Sequence, residues 1–240
     1  MNKVRLDGVR RISQLSNVHR GTAFEERSLS LLQDHFSMAL RRVGGKSDGG
    51  IDLQGWWWVP QLWKPLDPLA VDELSQRRRI RVLAQCKAER KKFSPNYVRE
   101  MEGVLYRHMA TTPTTHASQP SLNDTHLFSY PSIALLVSES AFTKSTLLRA
   151  FSSTVPFFLL HLPQQASNDI QHKGDSVALG SAFWNPALSG ESGILGGEME
   201  IRWERSLSGG GRPGMWWRGE KVRNWTPESG FVQDDNISFE

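Results

Sequence analysis

Asp52, Gln85 and Lys87 are of types that could do chemistry together if two neighbouring strands carried them. A carboxylate and an amide carbonyl are hard oxygen ligands suited to Mg2+ or Mn2+. An ammonium beside them can position or help deprotonate a water and offset charge developing on a phosphate. That is the equipment of phosphodiester hydrolysis. Side chains alternate along a strand, so Gln85 and Lys87 share one face and Ile80, Val82, Ala84 and Cys86 the other. Asp52, on the preceding strand, can point to the same face as Gln85 and Lys87. A Gln-x-Lys pair alone is weak, because any strand with one solvated face carries polar residues at every second position.

The elements that must position these groups follow from periodicity. Phe24, Leu29, Leu31, Leu32, Phe36 and Leu40 approximate helical spacing over 22–42, with Thr22 as N-cap and Glu25 closing a capping box, and a turn into strand near Ala39. Glycines 44, 45, 49 and 50 end that segment, and alternation predicts a strand over 51–59. Pro60, Pro65 and Pro68 mark an inserted loop. A strand over 79–87, a helix over 95–109, a strand over 133–137, a helix over 142–151 and a strand over 155–161 complete the pattern. This order predicts an α/β fold, a mixed central sheet flanked by helices. The chain divides into a basic arm (1–20), a core (21–165) and a C-terminal extension (166–240) that holds 12 of the 20 glycines and several tryptophans and reads as short strands and loops.

Charge is concentrated near the candidate site. The net value is only +4, but between Arg77 and Lys92 there are eight Lys or Arg residues against Glu89 alone. Such a cluster suits a polyanion. Arg77, Arg78, Arg79, Lys91 and Lys92 are the candidate phosphate contacts, although an arginine-rich hairpin edge can also serve only to discourage aggregation. Trp56 and Trp58 share the face of Asp52 and could stack on unpaired bases, whereas Trp57 belongs to the apolar face. The lone Cys86 excludes an internal disulfide and a multi-thiolate zinc site. No apolar run reaches the roughly 18 residues that would span a bilayer. Gly45-Lys46-Ser47 is not a phosphate-binding loop, because Leu40 stands where that motif needs glycine. The first twenty residues carry Lys3, Arg5, Arg10, Arg11 and Arg20 against Asp7, which fits either a mitochondrial presequence or a solvated basic arm.

The polar set also occurs in a recognisable order: Gly21-x-x-Phe24-Glu25, then Gly45-x-x-Asp48-Gly49-Gly50-Ile51-Asp52-Leu53, then Gln85-Cys86-Lys87. Over about 20–161 the chain resembles the Mrr-like restriction endonucleases and, more distantly, the archaeal Holliday junction resolvases, within the PD-(D/E)XK superfamily. Leu135-Leu136-Val137-Ser138 followed by Ala141-Phe142-Thr143 extends the likeness. The resemblance implies a restriction-endonuclease-like fold, metal ligation by Asp52, Gln85 and Glu25, a catalytic Lys87, and a nucleic-acid substrate, DNA ahead of RNA. Gln85 departs from the Asp or Glu of many members, so one negative charge is missing. The Gly-Thr-Ala-Phe-Glu start, the glycine turn and the late Trp184-Asn185-Pro186-Ala187-Leu188 resemble the fungal "required for respiratory growth" protein seven family, which implies a mitochondrial location. A binding or assembly factor that keeps the fold without catalysis is the alternative, since fold alone does not settle function.

Overall fold

In the computed structural model, residues 17–43, 49–62, 76–111, 130–164, 179–205 and 211–227 are described. The basic arm before residue 17, Trp63, Pro65 and Pro68 of the inserted loop, and Asp48 lie outside them. Helix α1 (Asn17–Phe36) is followed by strands β1 (Met38–Arg42), β2 (Leu53–Pro60) and β3 (Arg77–Lys87), helix α2 (Pro95–Thr111), strand β4 (Ser132–Ser138), helix α3 (Lys144–Phe151) and strand β5 (Phe157–His161). Strand β6 (Ser181–Trp184), the short helix α4 (Pro186–Ser189) and strands β7 (Met199–Arg205), β8 (Gly211–Trp217) and β9 (Glu220–Lys221) complete the chain.

The first six strands form one sheet in sequence order. β1, β2 and β3 are antiparallel neighbours; β4 and β5 run parallel to β3, and β6 returns antiparallel. The fold is therefore a mixed α/β sheet with helices on both faces. Phe24, Leu31, Leu32 and Phe36 of α1 cover one face through Val82, Ala84, Cys86, Leu135 and Leu160. Val98, Met101 and Leu105 of α2 and Ala150 of α3 cover the other through Leu83, Leu136 and Leu159. Strict alternation along β3 sends Ala84 and Cys86 to one layer and Leu83 to the other, as the sequence predicts. No helix among the described residues is long and apolar enough to cross a membrane.

The sequence expectation differs from the structure at two places. Helix α1 begins at Asn17 rather than Thr22, so Thr22 and Glu25 lie inside the helix and form no capping box. The C-terminal part is built into the core: β6 is an edge strand of the main sheet, and Met199, Met215, Trp217 and Val222 join the layer beneath α1. The helix end depends on this return of the chain. Ser37 stops α1 in the left-handed region (φ 54), and its N–H donates to Asn224 Oδ1 at 2.7 Å. Asn185 ties α3, β5 and α4 together. Its Nδ2 donates to the carbonyls of Ala150, Ser153 and Val155, and its Oδ1 accepts from the N–H groups of Phe157 and Leu188.

Candidate functional site

The glycine turn before β2 fixes the first polar group. Gly49 (φ 64) and Gly50 (φ 85) take left-handed conformations that favour glycine, and a Cβ on Gly50 would lie 3.1 Å from Gln85 Nε2. The turn therefore lets the backbone approach β3 closely. Gln85 Nε2 donates to Gly50 O at 3.0 Å, which sets the orientation of the amide. Its other end, Oε1, is buried and accepts no hydrogen bond among the described residues, although Gln85 is only 4% exposed. A buried carbonyl oxygen with no donor is costly, and such groups call for a physical reason.

Asp52 is anchored beside it. Its N–H donates to Ala84 O at 2.8 Å, its carbonyl accepts from Val43 N at 2.9 Å, and its Oδ2 accepts from Cys86 N at 2.6 Å. The carboxylate is thus bound to the peptide between Gln85 and Lys87. Lys87 ends β3 half-buried, with Nζ 5.2 Å from the centroid of the Tyr97 ring. The carboxylate of Asp52, just before β2, and the unsatisfied amide oxygen of Gln85 on β3 are oxygen donors of the kind a hard divalent cation takes, and Lys87 follows two residues along β3. Among the described residues no group of three His, Cys, Asp or Glu side chains could hold a metal. Mg2+ does not need one, since it is commonly held by one or two carboxylates while waters and substrate phosphates fill the remaining positions.

Glu25 is paired with Arg42 on β1, and its charge, like that of Asp52, is felt at Cys86. Its Oε2 accepts from Arg42 Nε at 2.8 Å and lies 2.7 Å from Arg42 Nη2, and α1, which carries it, packs on the face of Cys86 rather than that of Gln85. The capping-box reading fails because the helix starts five residues earlier, and the metal-shell reading finds Glu25 engaged by an arginine. Cys86 is buried: burial first, then the Asp52 carboxylate, push its thiol far above the ordinary value, against an opposing hydrogen bond from Ser28.

Several expected nucleic-acid contacts are internal. Arg77 is buried and donates to Trp58 O at 3.3 Å and Arg223 O at 2.7 Å. Arg78 donates to Ile194 O at 2.6 Å, and burial lowers its guanidinium from the ordinary value. Arg79 lies between two rings, 4.4 Å from the Trp56 centroid and 4.1 Å from that of Tyr130, and donates to the Tyr130 hydroxyl. Trp56 and Trp58 are 6% and 5% exposed, the latter packed edge-on against Trp225. These five residues brace the hairpin, and neither indole presents a face for base stacking. Lys91 and Lys92, with Arg90, are exposed in the turn that leaves β3.

The structure gives parts to groups that had none in the sequence reading. Tyr97 faces Lys87 and donates to Glu89; the helical spacing of Tyr97, Met101 and Leu105 was a signal for it, but its apolar reading hides the hydroxyl. Arg107 on α2 is exposed next to the glycine turn, with Nη1 3.8 Å from where a Gly49 Cβ would stand. Ser28 touches Cys86 from α1.

The chain is 34% identical over 98 residues to an uncharacterized mitochondrial protein of Schizosaccharomyces pombe. That stretch is 40% of this chain and 34% of the relative, so the match spans about a third of the relative's length. No solved structure matches. The family model described as "Required for respiratory growth protein 7" matches residues 16–187, well over half of the chain, and takes in α1, the glycine turn, β3 and the Asn185 staple. With the mitochondrial relative, this match establishes that the chain belongs to the Required for respiratory growth protein 7 family and is mitochondrial.

Proposed function

We propose that the chain is a Mg2+- or Mn2+-dependent nuclease acting on mitochondrial nucleic acid, DNA in preference to RNA. The observation that carries this reading is the buried Gln85 Oε1 with no donor, next to the anchored Asp52 and ahead of Lys87 on one strand. A purely structural glutamine would gain from a partner at both ends of its amide. The resemblance of the ordered motifs to the PD-(D/E)XK nucleases supports the same reading.

Asp52 and Gln85 would hold the ion. Bound there, it would polarise a phosphate oxygen and lower the pKa of a water. Lys87 contributes positive charge where negative charge develops on the phosphate, and its ammonium can hold the attacking water by hydrogen bonding. Hydrolysis adds one water across a P–O bond, leaving a phosphate monoester and a hydroxyl. Arg90, Lys91 and Lys92 supply the exposed cations nearest in sequence for the flanking backbone.

The test is metal titration by calorimetry. Wild type should bind Mn2+ and Mg2+, Gln85→Ala should bind them more weakly, and Gln85→Glu, which adds a charge at the same reach, more tightly. Identical isotherms for the three proteins would remove Gln85 from the ligand set and with it the reading's main support. Binding of nucleic acid by a protein that takes up no metal would favour the non-catalytic factor.

A further inference from the structure

The Lys87 ammonium faces a ring rather than a carboxylate. Glu89 is two residues away, yet among the described residues the ammonium pairs with no carboxylate and instead faces the Tyr97 ring, 5.2 Å from its centroid. The Glu89 carboxylate is engaged on another side: the Tyr97 hydroxyl donates to it, 3.1 Å from each oxygen. Tyr97 itself is firmly seated. Its ring lies 4.7 Å from that of the buried Phe93, which packs on Phe142 at 5.1 Å and whose carbonyl accepts from Thr146 Oγ1 at 2.6 Å. Burial first, then the hydrogen bond to Glu89, hold the phenol above its ordinary value, so it remains a donor.

We infer that Tyr97 is a positioning residue for Lys87: it engages Glu89 through its hydroxyl and offers the ammonium a neutral ring face, leaving the cation available to a phosphate. This rests on the nuclease reading of the site. An aromatic face attracts an ammonium without neutralising it. A carboxylate would do the opposite, since an ion pair with Glu89 would draw Lys87 away from the substrate and offset its charge. The two halves of the tyrosine therefore have separable tasks. Tyr97→Phe keeps the ring but frees Glu89 to capture Lys87, and Glu89→Gln in that background removes the competitor.

The readout is 13C NMR of reductively dimethylated protein, with the Lys87 signal assigned by its absence in Lys87→Arg. In wild type the Lys87 methyl signal should lie upfield of the exposed lysines because of the Tyr97 ring, and Tyr97→Leu should abolish the displacement. In Tyr97→Phe, where Glu89 is free to draw the ammonium off the ring, that upfield displacement should shrink, and Glu89→Gln in that background should restore it. Cleavage by unmodified Tyr97→Phe should fall by about twofold to fivefold, the factor an exposed ion pair supplies, and recover in the double variant. A wild-type Lys87 signal among the exposed lysines, or an upfield displacement unchanged in Tyr97→Phe, would overturn the inference. Absence of cleavage by wild type would instead count against the nuclease reading, while the NMR displacement would still decide the role of Tyr97.

Discussion

Gln85→Met makes the unsatisfied amide measurable without any substrate. Met has nearly the volume of Gln and no carbonyl, so the change removes the buried Oε1 that has no donor and sacrifices the 3.0 Å bond from Nε2 to Gly50 O. Losing a net hydrogen bond costs about 1 kcal/mol, whereas removing an unpaired buried carbonyl returns about 1–3 kcal/mol. A volume-conserving swap adds little strain. The balance is stability unchanged to about 2 kcal/mol higher in chelator, equivalent at this chain length to a Tm rise of up to about 4–8 °C. Urea unfolding followed by far-UV circular dichroism would read it as a higher midpoint at unchanged slope. In saturating Mg2+ the order should reverse, because a ligand at a hundred times its Kd stabilises wild type by about 2.7 kcal/mol and the variant would lack half of the protein ligands. If Gln85→Met were less stable than wild type by more than about 1 kcal/mol in chelator, or gained as much from Mg2+, Gln85 would be a structural residue and the argument would fail.

Three further outcomes follow from the same structure. Asn185→Ala leaves five buried backbone groups without their side-chain partner and should cost about 4 kcal/mol, read by chemical denaturation, with local relaxation limiting the loss. His161 is lowered from 6.5 chiefly by burial, so the unfolded chain takes up its proton before the folded one. Its contribution to stability should be intact above pH 6.5 and decline as pH falls below it, and His161→Gln should flatten that part of a pH series of unfolding midpoints. Replacing both Lys91 and Lys92 by Gln should weaken nucleic-acid binding at low salt and reduce the slope of log affinity against log salt by about 1 to 2, measured by fluorescence anisotropy. An unchanged slope would remove them from the interface.

What was legible in the sequence depended on range. Alternation along β3 is a local property, and it correctly separated Leu83 from Ala84 and Cys86 and located the element that carries Gln85 and Lys87. The glycine turn was equally readable, because two left-handed residues before a strand favour glycine. Arg77, Arg78 and Trp58 were misread for a long-range reason: their partners Arg223, Ile194 and Trp225 come from a C-terminal segment that periodicity treated as an appendage. A cation donating to a carbonyl more than a hundred residues away looks, in sequence, like a cation facing solvent. The capping role of Glu25 failed because residues before Gly21 extend the helix, which turns an N-terminal position into an interior one, where the carboxylate meets Arg42 on β1. The unpaired oxygen of Gln85 lay beyond any sequence reading, since it depends on what does not reach it.

Cleavage assays on single-stranded, duplex and branched DNA and RNA with Mg2+, Mn2+ or chelator, comparing wild type with Asp52→Ala and Lys87→Ala, decide whether the chain is a nuclease. Cleavage by wild type that requires the metal, falls by several orders of magnitude in both variants and leaves nucleic-acid binding and folding intact is the result predicted, because Asp52 is the anionic ligand and Lys87 the charge that meets the phosphate. Wild type that cuts none of these substrates with either ion, or Lys87→Ala that cuts as fast as wild type, would contradict the account.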